Sequence, residues 1–191
     1  MAAKTRDGMV LSAVQLFRRD GYNGTGLRDV IAHSGAPRGS IYHHFPEGKA
    51  QLGVEAVTFA GDVANAAMAR ALQSADLVAG IEKFWARWTR FVEASNFEEG
   101  CPIVGVAAEA HPEAPELPAA AAAVFDRWEA TFASAFRTRG LTSAKEAGDL
   151  AAMIVATLEG ATIMSRAAQS TQPLVRAGRQ LGRALRVAMP S

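Results

Sequence analysis

The stretch RGSIYHHF, residues 38–45, places one arginine, one serine, one tyrosine and two histidines in eight positions, with Ile41 and Phe45 as its only large apolar residues. At helical spacing Ile41 and Phe45 share one face, while Arg38, Tyr42, His43 and His44 project around the rest. Such a segment anchors with its inner face and offers a guanidinium fork, a phenol and imidazoles for hydrogen bonding on the outside. Metal chemistry is not expected, because adjacent histidines point about 100° apart on a helix and cannot form an i, i+4 ligand pair. Cys101 is the other reactive side chain, followed by Glu109 and His111. It sits beside Pro102 in an apolar stretch with no neighbouring cation to stabilise a thiolate, so buried packing is the default and catalysis is not expected.

The elements that position these groups read as helices almost throughout. Alanine dominates and apolar residues recur at helical rather than alternating spacing. Val10, Ala13, Val14 and Phe17 form the inner stripe of a first helix, about Lys4 to Asp20, with Gly21 placed to end it as a left-handed cap. Thr25 is expected to cap a second helix whose inner face is Leu27, Val30 and Ile31 and which stops at Ser34-Gly35. Only Gly35-Ala36-Pro37 separates it from RGSIYHHF, so the two form a helix-turn-helix. A fourth helix, about Lys49 to Gln73, turns Leu52, Ala56, Phe59 and Ala60 inward.

Beyond Asp76 the helices lengthen and carry large aromatics. Ile81, Phe84, Trp85, Trp88, Phe91 and Val92 make one stripe, and Phe125, Trp128, Phe132 and Phe136 another. The prolines of HPEAPELP mark a loop between them. Ser143 with Glu146 reads as a capping box that opens a helix to about Ala168, and Pro173 starts the last one. About nine helices are expected in an all-α chain, divided into residues 1–48 and 49–191 by the change in composition near residue 50.

A chain of 191 residues buries a core without disulfide staples, and its single cysteine excludes an intrachain disulfide. That usage suits a reducing cytoplasm. The longest uncharged apolar runs, such as LAAMIVATL, fall short of the roughly 20 residues that span a bilayer, so no membrane partner is expected. The net charge of +1 conceals a gradient: residues 1–50 hold seven Lys and Arg against four Asp and Glu, and the remainder thirteen against fifteen. Positive charge is gathered at the N-terminal end.

The run GYNGTGLRDVIAHSGAPRGSIYHHFPEGKAQL resembles the N-terminal DNA-binding region of TetR-family transcriptional regulators in its threonine-led helix, its turn ending in glycine and its Gly-x-(Ile/Leu)-Tyr-x-x-Phe helix. The resemblance covers about residues 8–53. Gly26 departs from the threonine or serine usual there. Gly48 before Lys49, and GCPI at 100–103 followed by Glu109, are similar to the LmrA/YxaF-like subgroup.

In a recognition helix of this kind an arginine bonds a guanine edge bidentately and a serine bonds several bases. Arg38 and Ser40 are therefore the expected base readers, with Gly39 leaving the backbone open to DNA. Tyr42, His43, Lys49 and Thr25 are expected at phosphates, fixing register, with His44 a further DNA-binding residue. The resemblance further implies a small effector in the C-terminal part and a homodimer built from its last two long helices. The aromatic stripes supply walls for an apolar cavity, drawn from Phe84, Trp85, Trp88, Phe91, Cys101, Ile103, Trp128, Phe132, Ile154 and Leu158. Gly148, Ala152, Ala156 and Gly160 form a ladder of small residues suited to close helix approach, and Leu174, Leu181 and Leu185 an apolar seam; both are expected at the dimer interface. The expected protein is a ligand-responsive, non-enzymatic regulator without cofactor, a repressor that binds palindromic double-stranded DNA and is released by an apolar or aromatic effector. A redox sensor using Cys101, or an enzyme or carrier with an architectural helix-turn-helix, is the alternative. Arg176, Arg179, Arg183 and Arg186 are expected on the solvated side of the last helix.

Overall fold

The computed structural model describes residues 2–109, 113–141 and 143–189, with side chains from residue 5; His111 lies outside them. The described residues form helices and no strand: α1 Ala2–Asp20, α2 Leu27–Ser34, α3 Ile41–His44, α4 Lys49–Ala71, α5 Leu77–Ala94, α6 Pro102–Ala108, α7 Glu116–Thr138, α8 Ala144–Ala168 and α9 Gln172–Ala188. The helical periodicity of the sequence is thus realised in order, and the two predicted stops are backbone facts: Gly21 and Gly35 have positive φ, as does Gly140 after α7.

Contacts gather into two compact units. The first joins Met1–Asp62 to Cys101–Val124, and the second joins Val63–Gly100 to Phe125–Ser191. In the first unit α1 packs on α2 and α6. Its core contains Met9, Val14, Phe17, Val30, Ile41, Phe45, Leu52 and Val57, all buried. Phe59 was expected inward with Leu52 and Ala56 but is 41 % exposed, because it lies at the edge of the buried arc that Ala56, Val57 and Ala60 define.

In the second unit α9 packs on both α5 and α8. Trp85 donates its indole N–H to the Leu174 carbonyl at 2.8 Å, and the Leu174 N–H donates to Ser165 Oγ at 3.2 Å. A Cβ on Gly178 would overlap the Trp85 indole, so glycine there permits the close approach of α9 to α5. Leu174, Leu181 and Leu185 are buried by these contacts. This corrects their assignment to the dimer interface: an amphipathic helix has one apolar seam, and here its own chain takes it.

One helix start also differs from expectation. α7 begins at Glu116 and so includes Pro118, which is tolerated because the first turn has no intrahelical use for its N–H. α8 opens as the sequence indicates, with Ser143 Oγ accepting from the Glu146 N–H at 3.2 Å. α8 is long and apolar enough to cross a membrane by length and composition. Ala147, Ala151, Ile154, Val155, Leu158 and Ala161 are instead buried in the chain, as in the core helix of a folded domain.

Candidate functional site

The outward groups of the N-terminal unit rest on a short, tightly tied segment. α2 starts at Gly26, whose N–H donates to Asp29 Oδ2 at 2.7 Å. Asp29 in the first turn also complements the positive end of the helix. Gly35, with φ +66, ends α2 and returns its N–H to the Ala32 carbonyl. The chain then turns at Pro37, whose carbonyl accepts both the N–H and the hydroxyl of Ser40, at 2.9 and 2.7 Å. Regular helix starts only at Ile41. The recognition segment is therefore a turn followed by one helical turn, shorter than the helix expected over 38–45; Arg38 and Gly39 sit in the turn.

Ile41 and Phe45 plug this segment into the core, and the Arg6 guanidinium lies 5.2 Å above the Phe45 ring while pairing with Glu55 at 2.6 Å. With the inner face fixed, the remaining side chains point outward. Tyr42 is 65 % exposed, and Arg38, Gly39 and His43 are exposed as well. His44 is half-buried, with its ring edge-on to Phe45 and to His43. Arg38 lines a cleft of about 730 Å³ together with Arg28, Ile31, Ala32, Gly35 and Ala36. Arg28 was missed in the sequence, although the inward set of Leu27, Val30 and Ile31 already required it to face away. The two guanidiniums make the cleft suited to an anion or a base edge.

Two expected phosphate contacts are placed differently. Thr25 is 2 % exposed, and its hydroxyl donates to the Gly21 carbonyl at 2.8 Å. It neither caps α2 nor reaches solvent, because Gly26 takes the cap position and Asp29 reaches back to it. Lys49 folds over Tyr22, with Nζ 4.2 Å from the ring centroid. Burial lowers its ammonium pKa against the opposing pull of Glu109 and Asp29, and the Tyr22 phenol is pushed up by burial, then by Glu116 and Glu109. A phosphate contact by Lys49 requires its ammonium to leave that ring.

The aromatic groups of the second unit are packed and satisfied. Trp85, Trp128, Phe132, Ile154 and Leu158 are buried, and Phe84, Trp88 and Phe91 half-buried. Trp88 donates its indole N–H to Thr162 Oγ1 at 2.8 Å, and its ring lies 5.1 Å from that of Phe91. Trp85 also forms part of an open groove of about 410 Å³ with Ala86, Thr89 and Val175, rimmed by Glu82, Arg90 and Arg179. Cys101 and Ile103 belong to the first unit, where both are buried at the start of α6. Among the described residues no cluster of three or more His, Cys, Asp or Glu is arranged to hold a metal.

The small-residue ladder of α8 is open. Beyond the helix's own neighbouring residues nothing lies within 4 Å of a Cβ placed on Gly148 or Gly160, Ala152 is half-buried and Ala156 exposed. The same side of α8 shows Met153, Ile163 and Met164, with Ile163 53 % and Met164 62 % exposed. On α9, Arg176, Arg179, Arg183 and Arg186 are exposed as expected, and Arg186 also bonds Asp76 at 3.3 Å and Glu82 at 3.0 Å.

Comparison with known proteins gives this geometry its context. Residues 10–57 match "Bacterial regulatory proteins, tetR family", and residues 78–180 match "Transcriptional regulator LmrA/YxaF-like, C-terminal domain". An uncharacterised HTH-type transcriptional regulator of Mycobacterium tuberculosis is 40 % identical over 191 residues, covering 97 % of this chain and 96 % of its own. The HTH-type transcriptional regulator LmrA of Bacillus subtilis is 30 % identical, covering 90 % of this chain and 91 % of its own. A crystal structure of a TetR transcriptional regulator from Chloroflexus aurantiacus superposes with a TM-score of 0.78 at 31 % identity, covering 95 % and 94 % of the two chains. With one family match spanning more than half of the chain, a relative at 40 % identity over nearly all of it, and a helix-turn-helix whose outer face is basic and exposed, the chain belongs to the TetR family, in its LmrA/YxaF-like group, and is a DNA-binding regulator of transcription rather than an enzyme.

Proposed function

We propose that the protein is a cytoplasmic repressor that binds a palindromic operator as a homodimer, through residues 1–48, and is released by a small apolar or aromatic effector held by residues 49–191. The observation that carries the reading is the exposed set Arg38, Gly39, Tyr42 and His43, held outward by the buried Ile41 and Phe45. A structural neighbour, CifR, is solved with a 26-base-pair double-strand operator; it is 20 % identical, covers 94 % of this chain and 96 % of its own, and superposes with a TM-score of 0.79. In a dimer each subunit supplies one recognition segment, and two half-sites about 34 Å apart, one turn of B-DNA, bind together. An effector that favours a different spacing lowers operator affinity through its coupling free energy, typically about 1–3 kcal/mol.

The test is selection of duplexes from a random pool, followed by footprinting. Two symmetric half-sites are expected, and enrichment of no sequence would remove the operator reading. Within a selected duplex, Arg38→Ala is expected to cost about 1–3 kcal/mol and to relax preference at one base pair per half-site, with the fold intact by circular dichroism. Uniform weakening across all sequences would make Arg38 a phosphate contact instead.

For the effector, the walls proposed are the aromatic residues of the second unit. All three tryptophans lie on α5 and α7, so an apolar or planar aromatic ligand is expected to quench tryptophan emission and to release DNA at the same concentrations. Trp128→Ala is expected to shift the ligand Kd and to lower stability by about 3–5 kcal/mol through the cavity it leaves. A loss of stability with an unchanged Kd would return Trp128 to plain core. Release of DNA by charged metabolites alone, without an emission change, would defeat the apolar pocket.

A further inference from the structure

An acid caps the C-terminal end of α6, where a helix disfavours one. Glu109 follows α6 directly as its C-cap, in extended conformation. The negative end of the helix repels a carboxylate, so the position is not explained by α6 itself. The side chain reaches instead to the turn between α1 and α2. The Asn23 N–H donates to Glu109 Oε2 at 2.6 Å, across 86 residues of sequence. The other carboxylate oxygen, Oε1, occupies the space above Gly21 that any side chain there would fill, and Gly21 has φ +74. One turn earlier in α6, Gly105 lets the backbones approach: a Cβ there would stand 3.4 Å from the Phe17 carbonyl oxygen and 3.8 Å from Gly21 Cα.

This turn sets the path of everything after it. Thr25 is tied back into it by its hydroxyl on the Gly21 carbonyl and by its N–H on the Tyr22 carbonyl at 3.1 Å. α2 starts two residues later, and α3 hangs from α2 through the short Gly35–Ser40 connection. Nothing in the outward surface of Arg38, Tyr42 and His43 involves Glu109. Its function, on this geometry, lies in orientation.

We propose that Glu109 is a positioning residue for DNA recognition: from the end of α6 its carboxylate latches the Gly21–Asn23 turn and fixes the angle at which α2 and α3 leave α1. The proposal rests on the DNA-recognition reading above and deepens it. Specific recognition needs base-reading groups placed to within a fraction of an ångström, whereas non-specific binding needs only cations near phosphates. Loosening the latch therefore weakens the first much more than the second. The feature that matters is a hydrogen-bond acceptor at full reach, not the charge.

The test uses the full chain and two probes: a duplex that the parent protein selects from a random pool, and an unrelated duplex of equal length. Glu109→Ala is expected to lower affinity for the selected duplex about tenfold, with the unrelated duplex within about twofold. Amide exchange at Asn23 should quicken by about tenfold or more. Glu109→Gln keeps an acceptor at the same reach and should stay within about threefold of the parent in both readouts, while Glu109→Asp, shorter by one methylene, should behave like alanine. If glutamine is as damaging as alanine while aspartate is harmless, charge rather than the acceptor is at work and the latch is wrong. Equal losses on both duplexes with a lowered Tm, or quickened Asn23 exchange with full selective affinity, would also overturn it. Should the parent enrich no duplex, the DNA-recognition reading fails, and with it the role in recognition, while Asn23 exchange in the three variants still decides whether the latch exists.

Discussion

Gly160→Leu is expected to turn the proposed dimer into a monomer and to lower affinity for a two-half-site operator by about a hundredfold or more. A Cβ at this position meets no atom within 4 Å beyond its own stretch of helix, so the new side chain starts into open space. Replacing a mid-helix glycine by leucine favours α8 by up to about 0.8 kcal/mol, so a misfolded subunit is not the expected outcome. The damage must therefore come from outside the chain. Met153, Ala156, Gly160 and Ile163 follow one another at three- and four-residue steps and make one stripe on α8. Met153 and Ile163 add exposed apolar surface to a ladder whose small side chains permit close backbone approach, a combination that a solvated helix face has no reason to keep. A twofold interface brings the same stripe against its copy, so one bulky substitution enters it twice. Sedimentation with helix content followed by circular dichroism checks the result. An unchanged dimer with full operator affinity would take this face out of the assembly.

What the sequence displays well is whatever depends on local pattern. Gly21, Gly35 and Gly140 end helices because positive φ is intrinsic to the residue, and the inner stripe Val10, Ala13, Val14 and Phe17 is buried because 3.6-residue spacing leaves it no other course. The Arg38–Phe45 run was legible as a surface with anchors for the same reason. What escapes notice is settled by competition between partners for the same group, some of them adjacent and some far apart in the chain. Thr25 has the chemistry of a helix cap, but the Gly21 carbonyl takes its hydroxyl and Asp29 supplies the cap bond to Gly26. Lys49 has the chemistry of a phosphate ligand, but the Tyr22 ring lies within its reach. The seam Leu174, Leu181 and Leu185 has the chemistry of an interface, and only the placement of α5 and α8 shows that the chain consumes it. Glu109 is illegible in the same sense, since its partner Asn23 stands 86 residues away.

Phe45→Ala should abolish operator binding and cost about 3–5 kcal/mol of stability, the range for truncating a fully buried phenylalanine. The size of the effect follows from how little else holds the recognition segment. α3 has one turn of regular helix, and its only buried anchors are Ile41 within it and Phe45 immediately after it. Four residues fall far short of the length at which a helix persists without packing, so the segment keeps its shape only while the core grips it. Phe45 is wholly buried, lies beneath the Arg6 guanidinium and carries the His44 ring on its edge. Alanine leaves a void there, and Arg6 loses its aromatic partner while keeping the ion pair to Glu55. Phe45→Leu separates anchoring from aromaticity: it retains most of the buried volume and is expected to keep a folded protein with DNA affinity reduced by about tenfold at most. Thermal unfolding and binding to a selected duplex measure the two effects together. If Phe45→Ala folds, melts near the parent temperature and still selects the same sequence, then the recognition segment holds its shape without its anchor and the surface assigned to Arg38, Tyr42 and His43 loses its physical basis.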